Sequence, residues 1–320
     1  MFNRVLILSA SAGAGHVRAA EALEKAFSQS GAAREIRHID VLNYTNKVFR
    51  HLYSKAYLDM VNRMPEVMGW LYDHLDKPWK NERRRLAFDK LNTRPLVNLL
   101  KEYEPDIAIC THFLPSEILS WLKAKARIAC PQAIVVTDFD VHAMWLCRHY
   151  EQYFVALDET RMHMEKLGIH PGKLTVSGIP IDPVFSASKD KREMRIKHGL
   201  APDKTTILVS AGGFGVGRVE DLSTCLSELQ HEAQVVVLCG RNEELKKRLD
   251  KRAAKRRPGS RRSIINIGYT TLMDEFMSAS DILLGKPGGW RNPAHPRGLR
   301  HHREHRRAAL LSTDGTTVAA

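Results

Sequence analysis

The feature that most constrains the fold is the opening stretch, MFNRVLILSASAGAGHVRAAEA at residues 1–22. A short apolar run at 5–8 reads as a buried parallel strand, a small-residue turn fills 9–15, and His16 opens a helix-like segment rich in Ala and Glu. Strand, glycine turn and helix form the unit by which an α/β domain aims backbone N–H groups and a helix dipole at an anion. His16 sits at the lip of that turn, where its imidazole could accept a proton.

The same alternation continues. Apolar strand-like runs at 35–41, 107–110, 133–137, 153–156 and 174–176 complete a first half, and runs at 207–211, 234–239, 264–267 and 281–284 build a second. Helical patterns at 219–230, 243–255 and 271–279 fall between the later runs. Short strands alternating with helices predict parallel sheets covered on both faces. The fold class is therefore α/β, with two Rossmann-like domains and a cleft between them. The turn-rich PIDPVF at 180–185 marks the junction, giving an N-terminal domain over 1–185 and a C-terminal domain over 186–289. Residues 46–91 break the pattern with aromatics and methionines interleaved with Lys and Arg. They read either as a core stripe or as an element at a lipid headgroup boundary.

Composition narrows the partners. With a formal net charge of +13, the surface favours polyanions, anionic lipid or nucleotides. No apolar run reaches the length of a membrane span, and the run at 5–8 is too short for a signal peptide. The five cysteines form no C-x-x-C pair, which predicts reduced thiols and a cytosolic compartment.

Several motifs carry chemistry. Gly13 and Gly15 flank Ala14 ahead of His16 and let a ligand approach the backbone. A structural, hydrogen-bonded histidine is the plainer reading of His16. Gly212, Gly213, Phe214, Gly215, Val216 and Gly217 follow a strand and precede a helix, where a second nucleotide-binding turn belongs. The next strand lacks the terminal acid of a dinucleotide site and ends instead near Arg241, which suits a phosphate. The D-x-D at Asp138 and Asp140 could suggest a divalent metal, but Asp138 and His142 fit better as residues at the carboxyl end of a strand. No nucleophile elbow and no Walker motif is present.

The motif series resembles the diacylglycerol glycosyltransferases, the processive bacterial glucosyltransferases and the monogalactosyldiacylglycerol synthases. The matching text is SAGAGHVRAAEAL at 9–23, THFLPSEIL at 111–119, VVTDFDVHAMW at 135–145 and SGIPIDPVF at 177–185. It continues with GGFGVGRVEDL at 212–222, CGRNEELKKRL at 239–249 and GYTTLMDEFMSASDILLGKPGG at 268–289. The resemblance implies a GT-B fold and inverting transfer of a hexose from UDP-glucose or UDP-galactose to 1,2-diacylglycerol, with no metal and no cofactor beyond the UDP-sugar donor. It implies His16 as general base. Gly13, Gly15, Asp138, His142 and Trp145 would lie on the acceptor side. The 212–217 turn, Arg241, Tyr269, Thr270, Met273, Lys286, Gly288 and Gly289 would lie on the donor side. A cytoplasmic protein visiting the inner face of the cell membrane, at an anionic surface, is the corresponding expectation.

After Gly289 the resemblance stops. Residues 290–320 are Arg/His-rich and carry no strand pattern, so the second domain reads as incomplete and transfer activity as reduced or lost. A reading-frame shift near Gly289 accounts for the text: under one codon choice, residues 300–305 read one base later as Ala-Ile-Ile-Val-Asn. A native basic tail is the alternative. Two other functions remain open here. One is transfer of N-acetylglucosamine to a lipid-linked peptidoglycan precursor. The other is nucleic-acid binding through the basic run at 246–262 and the Arg/His tail, which no recognition module accompanies.

Overall fold

The computed structural model describes residues 1–11, 14–45, 94–139, 141–210, 219–227, 231–254, 262–285, 310–312 and 317–318. The 46–91 stretch, Gly13, Asp140, the 212–217 turn, Lys286, Gly288 and Gly289 lie outside them. Two compact units are present, one carried by Met1–Pro183 and one by Val184–Gly288 with the strands near the C-terminus.

The first unit is built on strands β1 (Phe2–Ser9), β2 (Ala33–Asp40), β3 (Ile107–Cys110), β4 (Gln132–Val135), β5 (Gln152–Val155) and β6 (Leu174–Val176). They form one parallel sheet in the order β2-β1-β3-β4-β5-β6. Val5 to Ser9 of β1 and all of β4 are buried, as strands covered on both faces must be. Helix α1 (Ala14–Ser30) leads from β1 to β2. It stops at Gly31, whose φ of +62° lets the Ala32 N–H turn back to the Phe27 carbonyl. The other α-helices among the unit's described residues are α2 (Arg94–Tyr103), α3 (Phe113–Ala124) and α4 (Asp158–Lys166). α2 and α3 close one part of the core with Leu96, Leu100, Leu119 and Leu122 against Leu6 and Leu8. Ala20 of α1 packs on Val5 and Ile7 in another part of it.

The second unit has helices α5 (Lys191–Lys197), α6 (Val219–Ser227), α7 (Glu243–Ala254) and α8 (Met273–Ala279), and strands β7 (Thr206–Ser210), β8 (Ala233–Leu238), β9 (Arg262–Ile267) and β10 (Ile282–Gly285). These strands pair in parallel in the order β10-β7-β8-β9. Buried Arg195 of α5 ties the start of β10 to the unit: it donates to the Ala279 and Pro202 carbonyls at 2.8 Å and to the Asp281 carboxylate at 2.5 Å. The basic run forms part of α7, where Leu245 and Leu249 face the core. Two of its cations form ion pairs, Lys246 with Asp250 at 2.7 Å and Arg248 with Glu220 at 2.6 Å.

The stretch after Gly289 departs from the expectation of a strandless tail. Strand β11 (Leu310–Ser312) runs antiparallel to β10, and β12 (Thr317–Val318) runs antiparallel to β11. The physical reason is the edge of the parallel sheet: β10 offers unpaired N–H and C=O groups on one side, the short segment LLS pairs with them, and TV pairs in turn with LLS.

All five cysteines are free thiols. Cys110, Cys147 and Cys239 are buried, Cys130 is partly buried, and Cys225 on α6 is exposed. Burial pushes the Cys110 thiol far up and those of Cys130 and Cys239 to about 11. Among the described residues, no helix is long and apolar enough to cross a membrane.

Candidate functional site

In an open parallel sheet, ligands bind outside the carboxyl ends of the strands where the chain order reverses direction. In the first unit that point lies between β1 and β3, which are neighbours in the sheet although β2 intervenes in the chain. The residues that leave those carboxyl ends are Gly15 and His16 after β1, Thr111 and His112 after β3, and Thr137 and Asp138 after β4. The fold thereby gathers one cluster from three separate stretches of sequence.

His16 stands in the first turn of α1, half-buried. Its Nδ1 lies 2.6 Å from the Thr137 hydroxyl. The Thr137 hydroxyl also donates to the Thr111 carbonyl at 3.1 Å. Thr111 in turn donates its hydroxyl to the His16 carbonyl at 2.9 Å and its N–H to the Leu8 carbonyl at 2.9 Å. Burial pulls the His16 pKa below its ordinary 6.5, against the raising influence of the Asp138 carboxylate and a backbone hydrogen bond at Thr111. A neutral imidazole at physiological pH is the form that can accept a proton. A Cβ built at Gly15 would meet no described residue within 4 Å.

Behind His16 stand His112 and Trp145. The His112 ring is nearly perpendicular to that of His16 (75°) at 4.5 Å between centroids, and Trp145 lies at 6.4 Å. His112 is buried and caps α3, its Nδ1 accepting the Leu114 N–H at 3.0 Å. Burial holds its pKa well below the usual value, helped by the neighbouring His16 and His142. Trp145 is wholly buried and donates its indole N–H to Asp138 at 2.8 Å. The loop carrying it is clamped by Tyr153, whose hydroxyl accepts the Cys147 N–H and donates to the Trp145 carbonyl, each at 2.8 Å. Trp145 therefore serves as a wall that holds the Asp138 carboxylate, with no indole face open to solvent. His142 lies beside Asp138, its Nε2 at 3.7 Å from the carboxylate and its ring edge-to-face with Phe113.

The structure thus brings His16, Gly15, Asp138, His142 and Trp145 together. It adds Thr111, His112 and Thr137, to which the sequence assigned no role. The signal that could have found them is positional: each follows a strand's carboxyl end next to the reversal point. Among the described residues, no group of three or more His, Cys, Asp or Glu side chains is arranged to hold a metal.

In the second unit, the described donor-side residues also follow strand carboxyl ends, Arg241 after β8 and Tyr269, Thr270 and Met273 after β9. The Arg241 guanidinium sits over the Tyr269 ring at 5.0 Å, and Tyr269 is 44% exposed. Gly240, with φ of +59°, makes the turn that brings Arg241 out of β8. Asn242 then caps α7, its Oδ1 accepting the Leu245 N–H at 2.9 Å. Thr270 accepts the Leu272 N–H at 3.0 Å, ordering the turn into α8.

Comparison with known proteins gives a consistent picture. Residues 16–181 match the family model described as monogalactosyldiacylglycerol (MGDG) synthase. The chain is 30% identical over 294 residues to the processive diacylglycerol beta-glucosyltransferase of Staphylococcus aureus strain Newman, covering 90% of this chain and 71% of that relative. Among solved structures it is similar to Acinetobacter baumannii MurG (TM-score 0.50, 15% identity, 88% of this chain and 72% of that one). It is also similar to Anabaena Alr3699/HepE in complex with UDP-glucose (TM-score 0.50, 10% identity, 88% and 73%). A third is the S. aureus MnaA–UDP structure (TM-score 0.52, 11% identity, 90% and 74%). At these identities the structural likenesses establish the fold, which is of GT-B type with a partial second domain.

Proposed function

The chain belongs to the diacylglycerol glycosyltransferase family, and from that premise we propose that it moves a hexose from UDP-glucose or UDP-galactose to the free hydroxyl of 1,2-diacylglycerol with inversion. The observation that carries this reading is the neutral, half-buried His16 at the carboxyl edge of β1. In the reaction His16 takes the glycerol hydroxyl proton as the oxygen attacks C1 of the sugar. The C1–O bond to the diphosphate breaks, and its electron pair leaves with UDP. Asp138 faces the imidazolium so formed and offsets its charge. On the donor side, the N–H groups of the 212–217 turn and Arg241 take up the negative charge of the leaving diphosphate. Tyr269, Thr270 and Met273 contact the nucleotide. No metal is needed, because backbone dipoles and a guanidinium do that work.

A net charge of +13 supports a working position on an anionic membrane surface, reached from the cytoplasmic side. Inversion follows from a single base and one displacement.

The test is transfer of radiolabelled UDP-glucose and, separately, UDP-galactose to diacylglycerol liposomes, with wild type beside His16→Ala. With the second domain partial, the expected result is reduced labelling of glycolipid from one donor by the wild type and a further fall of roughly a hundredfold or more in the variant. Equal labelling by both proteins would remove His16 as base. Labelling of a lipid-linked muramyl peptide in place of diacylglycerol would replace the acceptor.

A further inference from the structure

The hydrogen bonds around His16 fix more than its position. The Thr137 hydroxyl has one proton and two partners. One partner, the Thr111 carbonyl at 3.1 Å, can only accept. The proton therefore goes to Thr111, and Oγ1 presents lone pairs to the other partner, His16 Nδ1 at 2.6 Å. An acceptor at that distance requires Nδ1 to carry the imidazole proton. The lone pair of the neutral ring is then on Nε2.

The circuit that enforces this is closed. Thr111 holds the His16 carbonyl through its hydroxyl, and the Leu8 carbonyl holds Thr111 through its N–H. The Thr111 carbonyl orients Thr137, and Thr137 orients the ring. His112 stands 4.5 Å away on one side, its own tautomer set by the Leu114 N–H at Nδ1. A ring flip of His16 would place a C–H against Thr137 and forfeit the bond.

We propose that Thr137 is a positioning residue that fixes the Nδ1–H tautomer of His16 and so assigns Nε2 as the atom that receives the acceptor's proton. This inference rests on the reading of His16 as general base and goes one step deeper. Thr137 itself touches no reacting atom.

The test uses the full chain carrying ¹⁵N-imidazole histidine, with the His16 resonances identified by their loss in His16→Gln. In neutral-state spectra the expected pattern is a protonated nitrogen at Nδ1 and an unprotonated one at Nε2. Thr137→Val should shift His16 toward the Nε2–H form, and Thr137→Ser should restore the original pattern. In transfer assays Thr137→Val should lower kcat about tenfold to a hundredfold with KM little changed, as expected when a base is held in the wrong tautomer. An Nε2–H signal in the wild type, or a Thr137→Val protein with unchanged spectrum and kcat, overturns the assignment. The wild-type spectrum decides even if the valine variant does not fold. If the spectrum shows Nδ1–H while His16→Ala transfers at full rate, the base reading fails and the tautomer stands. If His16→Ala is inactive and the spectrum shows Nε2–H, the tautomer fails and the base stands.

Discussion

The Nδ1 of His16 and the Oγ1 of Thr137 lie 2.6 Å apart although 121 positions separate them in the chain. Parallel-sheet topology explains the meeting. β1 and β4 end on the same edge of the sheet, with only β3 between them. Each residue is two to seven positions beyond its strand, so the sheet itself sets their separation.

Transfer activity should follow the His16 titration. Burial lowers its pKa, so kcat/KM should rise with pH on a limb centred below 6.5 and level off above it. Asp138 raises that pKa, and Asp138→Asn should move the limb to still lower pH. A pH–rate profile of the two proteins checks the direction; a limb moving upward in the variant would contradict it.

Folding stability should show a related acid sensitivity through His112. Its folded pKa is depressed by burial, so below 6.5 the unfolded chain binds more protons than the folded one. The contribution is complete above the unfolded pKa and is lost as pH falls beneath it. His112→Asn keeps an N-cap acceptor and removes the titration. Thermal melts across this range should show a shallower decline of Tm toward acid in the variant.

Trp145→Phe should test the support behind the site. The ring volume is largely kept, while Asp138 loses its indole donor. We expect a loss of about 1–3 kcal/mol in urea unfolding, with Trp145→Ala costing more because it also opens a cavity. A phenylalanine variant with wild-type stability would show that the indole–carboxylate bond adds little.

In the second unit, Asp281→Ala should leave the buried Arg195 without its counter-charge and the Thr206 N–H without its acceptor. A cost of about 2–3 kcal/mol is expected. Burial alone would raise the Asp281 carboxyl, but the Thr206 N–H with Lys191 and Arg195 holds it below the ordinary value. Its contribution should therefore be lost as pH falls through that lowered pKa. Chemical unfolding of wild type and variant at neutral and acid pH measures both effects.

Much of this was legible in the sequence, for a physical reason. The strands are buried on both faces, so runs such as VLIL in β1 and QVVV in β8 stand out without any alternation to decode. His16 was legible because glycines and a strand precede it. Thr137 and His112 were not, because their roles come from partners more than ninety positions away, and a threonine or a helix-capping histidine has an ordinary local explanation. The strands β11 and β12 were missed for a different reason. Segments of three and two residues carry too little pattern to register, and their pairing comes from the open edge of β10 for β11 and from β11 for β12.

The thiols also equip the molecule for measurement. Cys225 is exposed on α6, while Cys110, Cys147 and Cys239 are enclosed and burial keeps Cys130 protonated at neutral pH. A maleimide dye added to the unaltered chain should attach at one address, in the half that holds Arg241 and Tyr269. Its emission would then give a reporter for nucleotide titrations without engineering a single codon.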